Sequence, residues 1–111
     1  ALGYSAYMGR VYVFHSVGNG GVPSADAASA STVITGEATG NGFGVSVAVG
    51  DVTGDGYADV AAGAHLYSTS TGRVYVFHST GSGGVLTTAA ASASTVITGQ
   101  TTSSFGISVA P

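Results

Sequence analysis

Three of the chain's five acidic residues fall within nine positions of one glycine-containing stretch, "GDVTGDGYADV" at 50–60. They are Asp51, Asp55 and Asp59. Carboxylates this close repel one another, so their spacing predicts that a cation binds between them. Calcium and magnesium prefer oxygen ligands, whereas zinc and copper would favour His or Cys side chains, which the stretch lacks.

The spacing also matches the ligand positions of a calcium loop. With Asp51 at position 1, the groups at positions 3, 5, 7 and 9 all offer oxygen: the Thr53 hydroxyl, the Asp55 carboxylate, the Tyr57 backbone carbonyl and the Asp59 carboxylate. Gly56 at position 6 permits the sharp turn. An EF-hand would have a Glu at position 12, where this chain has Ala62, and flanking helices. The flanking segments have strand composition instead, so we predict a strand–loop–strand site for Ca²⁺.

The composition excludes several functional classes. Only 6% of the 111 residues are charged and 44% are hydrophobic, so the chain should fold rather than stay disordered. Two basic residues provide no surface for nucleic acid, and no apolar run is long enough for membrane insertion. The absence of cysteine excludes disulfides and thiol chemistry.

The chain contains an internal repeat. "GRVYVFHS" occurs at 9–16 and 72–79, and "ASASTVITG" at 28–36 and 91–99, both offset by 63 residues. "FGVSVA" at 43–48 returns as "FGISVA" at 105–110, offset by 62 residues. Residues this far apart are therefore expected to hold equivalent places in two copies of one structural unit.

Each repeat predicts four short strands separated by glycine- and serine-rich loops, at 43–50, 59–64, 73–79 and 94–99 in the complete copy. The first and third strands are apolar at consecutive positions, which is typical of strands buried on both faces. The Ala-rich segment "SADAASAS" at 24–31 could form a helical turn, but its Ser content and length favour a loop. The predicted fold class is all-β, with β-propeller blades of four short antiparallel strands and an incomplete ring in this chain.

This prediction divides the chain into three segments. Residues 1–42 hold the last strands of one blade and a connecting loop, 43–99 form one complete blade with the calcium loop, and 100–111 form a linker and the first strand of the next blade. A propeller has typically about 4–8 blades. We therefore expect residues 1–16 and 104–111 to contact further blades, either of the same larger protein or of other copies in a homo-oligomer.

The sequence resembles the FG-GAP repeat of integrin α-subunit propellers and their relatives. "FG" at 43–44, "VGDVTGDGYADV" at 49–60 and "GA" at 63–64 match its signature, and "GRVYVFHS" and "TVITG" match its third and fourth strands. The proline of the GAP motif is His65 here, and the usual second acidic ligand is Thr53, which implies a weaker site. The resemblance implies that Phe-Gly packs where blades meet, that the loop binds calcium at the lower rim of the ring, and that partners bind elsewhere.

Other residues are predicted to be structural. The aromatic residues of the third strands are expected in the core between blades rather than in a sugar-binding platform: Tyr12, Phe14, Tyr75 and Phe77. His15 and His78 are repeat equivalents with no acid or nucleophile beside them in sequence, so structural or surface roles are expected, and His65 near the loop is expected at the surface too. Arg10 and Arg73 begin equivalent strands, where packing or a carbonyl contact is expected. No Gly-x-Ser-x-Gly motif occurs, and the chain is predicted not to be an enzyme.

The first hypothesis for function is a calcium-binding FG-GAP propeller segment of an extracellular or cell-surface protein, which serves adhesion or recognition of a protein or carbohydrate ligand. Low charge, abundant Ser and Thr and near-identical repeats suit an alternative, a structural subunit of a cell-surface array or filament. A third hypothesis is an accessory propeller of a larger enzyme.

Overall fold

The computed structural model describes residues 8–15, 22, 24, 26–38, 40–81, 84–100, 103–107 and 109. Within them, the chain forms two β-sheets from seven strands: β1 (Arg10–Val13), β2 (Thr32–Thr35), β3 (Phe43–Gly50), β4 (Asp59–Ala64), β5 (Arg73–Phe77), β6 (Thr88–Ala89) and β7 (Thr95–Thr98). The predicted all-β fold class is confirmed. Parts of the terminal segments predicted to contact other blades, among them residues 1–7, lie outside the described residues.

Helical structure in the described residues is limited to short turns. The four-residue turn α1 (Tyr67–Ser70) joins β4 to β5. The Ala-rich segments contain 3₁₀ turns at Ala27–Ser29 and Ala90–Ser92, and for the first of them the sequence had favoured a loop over a helical turn. In both turns the backbone closes an i→i+3 hydrogen bond, Ala30 N–H to Ala27 C=O and Ala93 N–H to Ala90 C=O, each 3.1 Å long.

The second sheet is the predicted four-stranded blade, with strand order β3-β4-β5-β7. All its pairs are antiparallel, and Val47, Ala62, Tyr75 and Val96 form one row across it. The strands are rich in Val, whose branched side chain packs well on a pleated surface. Gly72 precedes β5 with φ +83°, a backbone conformation that other residues rarely adopt.

The first sheet contains one strand that the sequence did not predict. Its strands β1 and β2 are the third and fourth strands of the preceding repeat and pair antiparallel. The additional strand β6 comes from the connection between β5 and β7 and pairs parallel with β2, with Ile34 opposite Thr88. We predicted this connection as a loop, and it instead reaches back to the outer edge of the preceding blade.

Side-chain hydrogen bonds fix this connection, which we call the latch (residues 84–90). The Thr32 hydroxyl donates to the backbone carbonyl of Val85, and the Val33 N–H donates to Thr87 Oγ1 over 3.1 Å. Val85 and Ala90 are 5% and 0% exposed. The latch therefore adds both backbone pairing and apolar burial to the contact between the two sheets.

The core lies between the two sheets. Val11 and Ile34 of the first sheet pack with buried residues of the second, and the largest fully buried side chains are Tyr75 and Phe43. The rings of Phe43 and Tyr75 meet edge to face, with centroids 5.5 Å apart and an interplanar angle of 78°. This geometry is favourable for aromatic pairs. The aromatic residues of β5 are thus in the core between sheets, as predicted.

Each Phe-Gly pair packs against the sheet that precedes it, as the family resemblance implied. A Cβ atom at Gly9 would collide with the Phe43 backbone, and one at Gly72 would collide with the Phe105 backbone. Gly72 and Phe105 also form a bridge between their backbones. Since Gly9 and Gly72 are repeat equivalents, the same close approach occurs twice, once at each end of the complete blade.

The prediction that the first strand is buried on both faces is wrong for β3 in this chain. Val45, Val47 and Val49 are 45%, 49% and 59% exposed. The reason lies in the first sheet, where the described strands of the preceding repeat correspond to its third and fourth strands. Among the described residues, these strands bury Phe43 at the start of β3 but leave Val45, Val47 and Val49 uncovered. The third strand β5 does bury consecutive positions, Val74 and Tyr75.

A polar cluster ties the end of β2 to the second sheet. Glu37 Oε1 accepts hydrogen bonds from Arg73 Nη1 at 3.1 Å and from the Tyr75 hydroxyl at 2.5 Å. The Arg73 guanidinium lies 3.9 Å from the centroid of the Tyr67 ring, and its Nε donates to Thr98 Oγ1. Burial and the neighbouring carboxylate raise the pKa of Tyr75 well above its ordinary value, so its hydroxyl remains a donor.

We expect Glu37→Ala to lower the free energy of unfolding by about 1–2 kcal/mol, because it removes two hydrogen bonds to a charged acceptor that is partly exposed to solvent. Gln100 is the repeat equivalent of Glu37 and is exposed, so Gln100→Ala serves as the matched control and should change stability by less than about 0.5 kcal/mol. Urea unfolding followed by circular dichroism measures both. Equal losses for the two variants would contradict a stabilising role of the cluster.

Candidate metal centre

The candidate site is the loop that joins β3 to β4. These strands pair up to Gly50 and Asp59, so the eight residues between them form the end of a hairpin. Gly54 and Gly56 have φ of +80° and +86°, and no other atom would lie within 4 Å of a Cβ at either position. Glycine is therefore needed here for the backbone conformation and not for space.

The structure brings together four of the five predicted ligand residues. Carboxylate oxygens of Asp51, Asp55 and Asp59 lie within 4.8 Å of one another. The Thr53 hydroxyl lies among them, 3.4 Å from Asp51 Oδ1 and 3.5 Å from Asp59 Oδ2. Tyr57 follows in the same loop, and its N–H donates to Asp55 Oδ1 over 3.0 Å. The Tyr57 carbonyl as a ligand stays a prediction.

Asp51 is held by the backbone of the loop. Its Oδ1 accepts from the N–H groups of Thr53 and Gly54, and its Oδ2 accepts from the N–H of Gly56 over 2.7 Å. These hydrogen bonds, above all that from Gly56, hold the pKa of Asp51 below its ordinary value. Asp51 is thus ionised at neutral pH, and its Oδ2, which accepts a single hydrogen bond, keeps a lone pair for a cation.

Asp59 differs from the other two aspartates because it is buried, with 1% exposure. Its Oδ2 accepts from the Val52 N–H over 3.0 Å, and its Oδ1 accepts from the Ser79 N–H over 2.7 Å. The Ser79 hydrogen bond is the main cause that lowers the pKa of Asp59, against the opposing effect of burial. Asp59 therefore links the loop to the end of β5 through hydrogen bonds and is also one of the three carboxylates that lie together.

Sequence reasoning did not identify Ser79. It follows β5 and lies 20 residues beyond Asp59, and it acts through its backbone N–H. Because every residue except proline has such a donor, no signal in the sequence marks this position. His78 is exposed and lies close enough for its charge to contribute to the low pKa of Asp59.

The donor set fits calcium. Two oxygens on opposite sides of one calcium ion lie up to about 5 Å apart, so three carboxylate oxygens within 4.8 Å of one another can share a single ion. All the candidate donors are oxygens, and a flexible coordination shell of six to eight oxygens accommodates carboxylates together with a hydroxyl, a carbonyl and water. Within the described residues, this is the one group of three or more acidic, His or Cys side chains positioned for a metal.

Comparison with known proteins identifies the repeat. Residues 43–77 match the family model of the FG-GAP repeat, and this stretch includes β3, the acidic loop, β4 and β5. Residues 43–77 are therefore an FG-GAP repeat, and the two sheets are consistent with part of an integrin-like propeller. No curated protein matches the chain.

FG-GAP repeats are typically non-catalytic, and the domains that contain them are typically extracellular. Among the described residues, no helix has the length and hydrophobicity needed to cross a bilayer.

Proposed function

We propose that this chain is a calcium-binding propeller segment of an extracellular protein that serves adhesion or ligand recognition. The observation that supports the proposal is the convergence of Asp51, Asp55 and Asp59 within a matched FG-GAP repeat. The proposed ligands are these three carboxylates, the Thr53 hydroxyl and the Tyr57 carbonyl. The proposed partner on another surface is a protein or carbohydrate, and catalysis has no part in the proposal.

The charge of the loop sets the expected affinity. Three carboxylates and one neutral hydroxyl attract calcium less strongly than sites with four or more acids, and extracellular modules bind in roughly the 10⁻⁴–10⁻³ M range. Calcium at millimolar concentration outside cells would then occupy the site, whereas cytosolic calcium would not. The proposed extracellular location and the proposed metal therefore support one another.

We expect calcium to raise the melting temperature. Binding to the folded state alone stabilises it by RT ln(1 + [L]/Kd), which is about 1.4 kcal/mol at tenfold excess over Kd. For a domain of this size that corresponds to an increase of about 5–10 °C. Asp55→Ala should abolish the increase. Asp55 is exposed, so its removal should scarcely change the melting temperature in EGTA.

Thermal unfolding in 10 mM calcium and in EGTA measures this effect for the wild type and for two variants. Asp26→Ala is the matched control, because Asp26 is an exposed aspartate outside the loop. It should keep the full calcium response. A wild type that melts at one temperature in both solutions would rule out the proposed calcium site.

A further inference from the structure

Of the three carboxylates in the candidate site, that of Asp59 is the one that also contacts another part of the chain among the described residues. Asp51 and Asp55 accept hydrogen bonds from N–H groups within the loop that joins β3 to β4. Asp59 Oδ1 instead accepts from the Ser79 N–H, over 2.7 Å, just beyond the end of β5. The position of Ser79 therefore helps to fix the carboxylate of Asp59.

Ser79 is held in place by the turn that follows it. The N–H and the hydroxyl of Thr80 both donate to the backbone carbonyl of Gly84, over 2.9 and 3.0 Å. The Gly84 N–H donates to the Gly81 carbonyl over 3.0 Å. Gly84 has φ +73°, in the region that favours glycine, and it is the first residue of the latch. The turn thus joins Ser79 to the latch.

The latch in turn depends on one buried hydroxyl of the other sheet. Val85 follows Gly84, and its backbone carbonyl accepts the hydrogen bond from the Thr32 hydroxyl. Thr32 is 1% and Val85 is 5% exposed, so the loss of this hydroxyl would leave a buried carbonyl without its donor. A series of contacts therefore runs from Thr32 in β2, through the latch and the turn, to Ser79 and Asp59.

The latch is the element of this series that can open. It pairs with β2 at only two positions, and besides the bond from Thr32 one further hydrogen bond, from the Val33 N–H to Thr87 Oγ1, holds it. Segments held by so few hydrogen bonds open locally more readily than the rest of a domain. An open latch would release the turn, so that the Ser79 N–H would no longer be held against Asp59.

We propose that Thr32 is a positioning residue for the calcium site: by holding the latch closed, it keeps the Ser79 N–H in place and Asp59 ready to bind the ion. This rests on the proposed function, in which the three aspartates bind calcium. A ligand group that is already held in its bound position loses less conformational freedom on binding, which raises affinity. A hydroxyl in the preceding repeat should therefore strengthen calcium binding in a loop of the other sheet.

Thr32→Val tests the proposal, because valine has nearly the same shape as threonine and lacks the hydroxyl. Titration of the full chain with calcium chloride, followed through the NMR amide signals of Gly54 and Gly56, gives Kd for the wild type and for each variant. Thr32→Val should raise Kd about fivefold. Thr32→Ser keeps the hydroxyl and should bind within about twofold of the wild type. Thr95→Val, at the exposed repeat equivalent of Thr32, is the matched control and should leave Kd unchanged.

Two further variants separate positioning from general stability. Glu37→Ala disrupts the polar cluster between the sheets, so it should lower stability and leave Kd unchanged. Thr87→Val removes the exposed acceptor of the Val33 N–H and thereby weakens the latch without changing a buried residue. It should raise Kd about twofold, and it keeps the comparison measurable if Thr32→Val does not fold.

The coupling should also act in the opposite direction, because the two equilibria are linked. If a closed latch strengthens calcium binding, calcium stabilises the closed latch by the same factor. Saturating calcium should therefore slow hydrogen exchange of the Val33 N–H, whose acceptor lies in the latch, by about fivefold in the wild type. In Asp55→Ala, which lacks one of the proposed ligands, calcium should not change this rate.

The outcomes distinguish the role of Thr32 from the calcium site itself. If the amide signals of Gly54 and Gly56 in the wild type do not move with calcium, both proposals are wrong. If the wild type binds calcium and the Thr32→Val and Thr87→Val variants bind it with the same Kd, the role of Thr32 is overturned and the calcium site stands. An equal rise in Kd for Glu37→Ala would mean that the variants act through stability, and it would also overturn the role of Thr32.

Discussion

Phe43→Ala is expected to lower the free energy of unfolding by about 3–5 kcal/mol, which is a large part of the stability of a small domain. The side chain of Phe43 is 0% exposed and lies in the core between the two sheets. Its removal leaves a cavity and also eliminates the edge-to-face contact with Tyr75. Because Phe43 joins the first sheet to the complete blade, its loss should destabilise both.

The repeat provides a matched control for this variant. Phe105 is the equivalent of Phe43 at the other end of the blade, and it is 39% exposed. Phe105→Ala should therefore cost less than half as much, about 1–2 kcal/mol. Phe43→Leu retains most of the apolar volume and should cost about 1–2 kcal/mol, which keeps the comparison measurable if the alanine variant does not fold. Urea unfolding at low protein concentration measures all three variants. If Phe43→Ala and Phe105→Ala lower the free energy of unfolding equally, the difference in burial does not determine how much each phenylalanine contributes.

Local sequence patterns predicted the strands of the complete blade and the residues of the acidic cluster. Strands β3 and β4 begin and end where predicted, since two apolar segments lie on either side of the acidic loop. The three aspartates were predicted to meet because they lie in or beside one hairpin loop at the spacing of calcium ligands. The structure brings their carboxylates together. In both cases the residues that determine the local structure lie close to one another along the chain.

The latch could not be predicted, because its partner is distant in sequence. The segment "VLTTAA" has neither strand-like alternation nor helical periodicity, and its pairing depends on Thr32 and Val33, more than 50 residues away. The exposure of Val45, Val47 and Val49 was missed for a related reason. An apolar run indicates that a strand can be buried on both faces, but the burial itself depends on which neighbouring strands are present.

Asp59→Ala is expected to lower the melting temperature even without calcium, which separates Asp59 from the other two aspartates. Asp59 is buried and accepts N–H groups from Val52 and Ser79, so the variant leaves both donors without their acceptor. Hydrogen bonds to a charged group contribute about 1.5–3 kcal/mol each, and the one from Val52 is worth less because that residue is 54% exposed. We expect a net loss of about 2 kcal/mol in EGTA, which corresponds to a decrease of about 8–16 °C.

The Asp55→Ala variant is the matched control, because both substitutions remove one negative charge from the same cluster. Either substitution relieves repulsion among the three carboxylates and should abolish the calcium response. The two variants differ in burial, since Asp55 is exposed and accepts one hydrogen bond, from the Tyr57 N–H in its own loop. The difference between their melting temperatures in EGTA therefore isolates the contribution of Asp59 to the connection between the loop and the end of β5. If the two variants melt at the same temperature in EGTA, Asp59 has no structural role apart from the metal, and the hydrogen bonds to Val52 and Ser79 do not stabilise the blade.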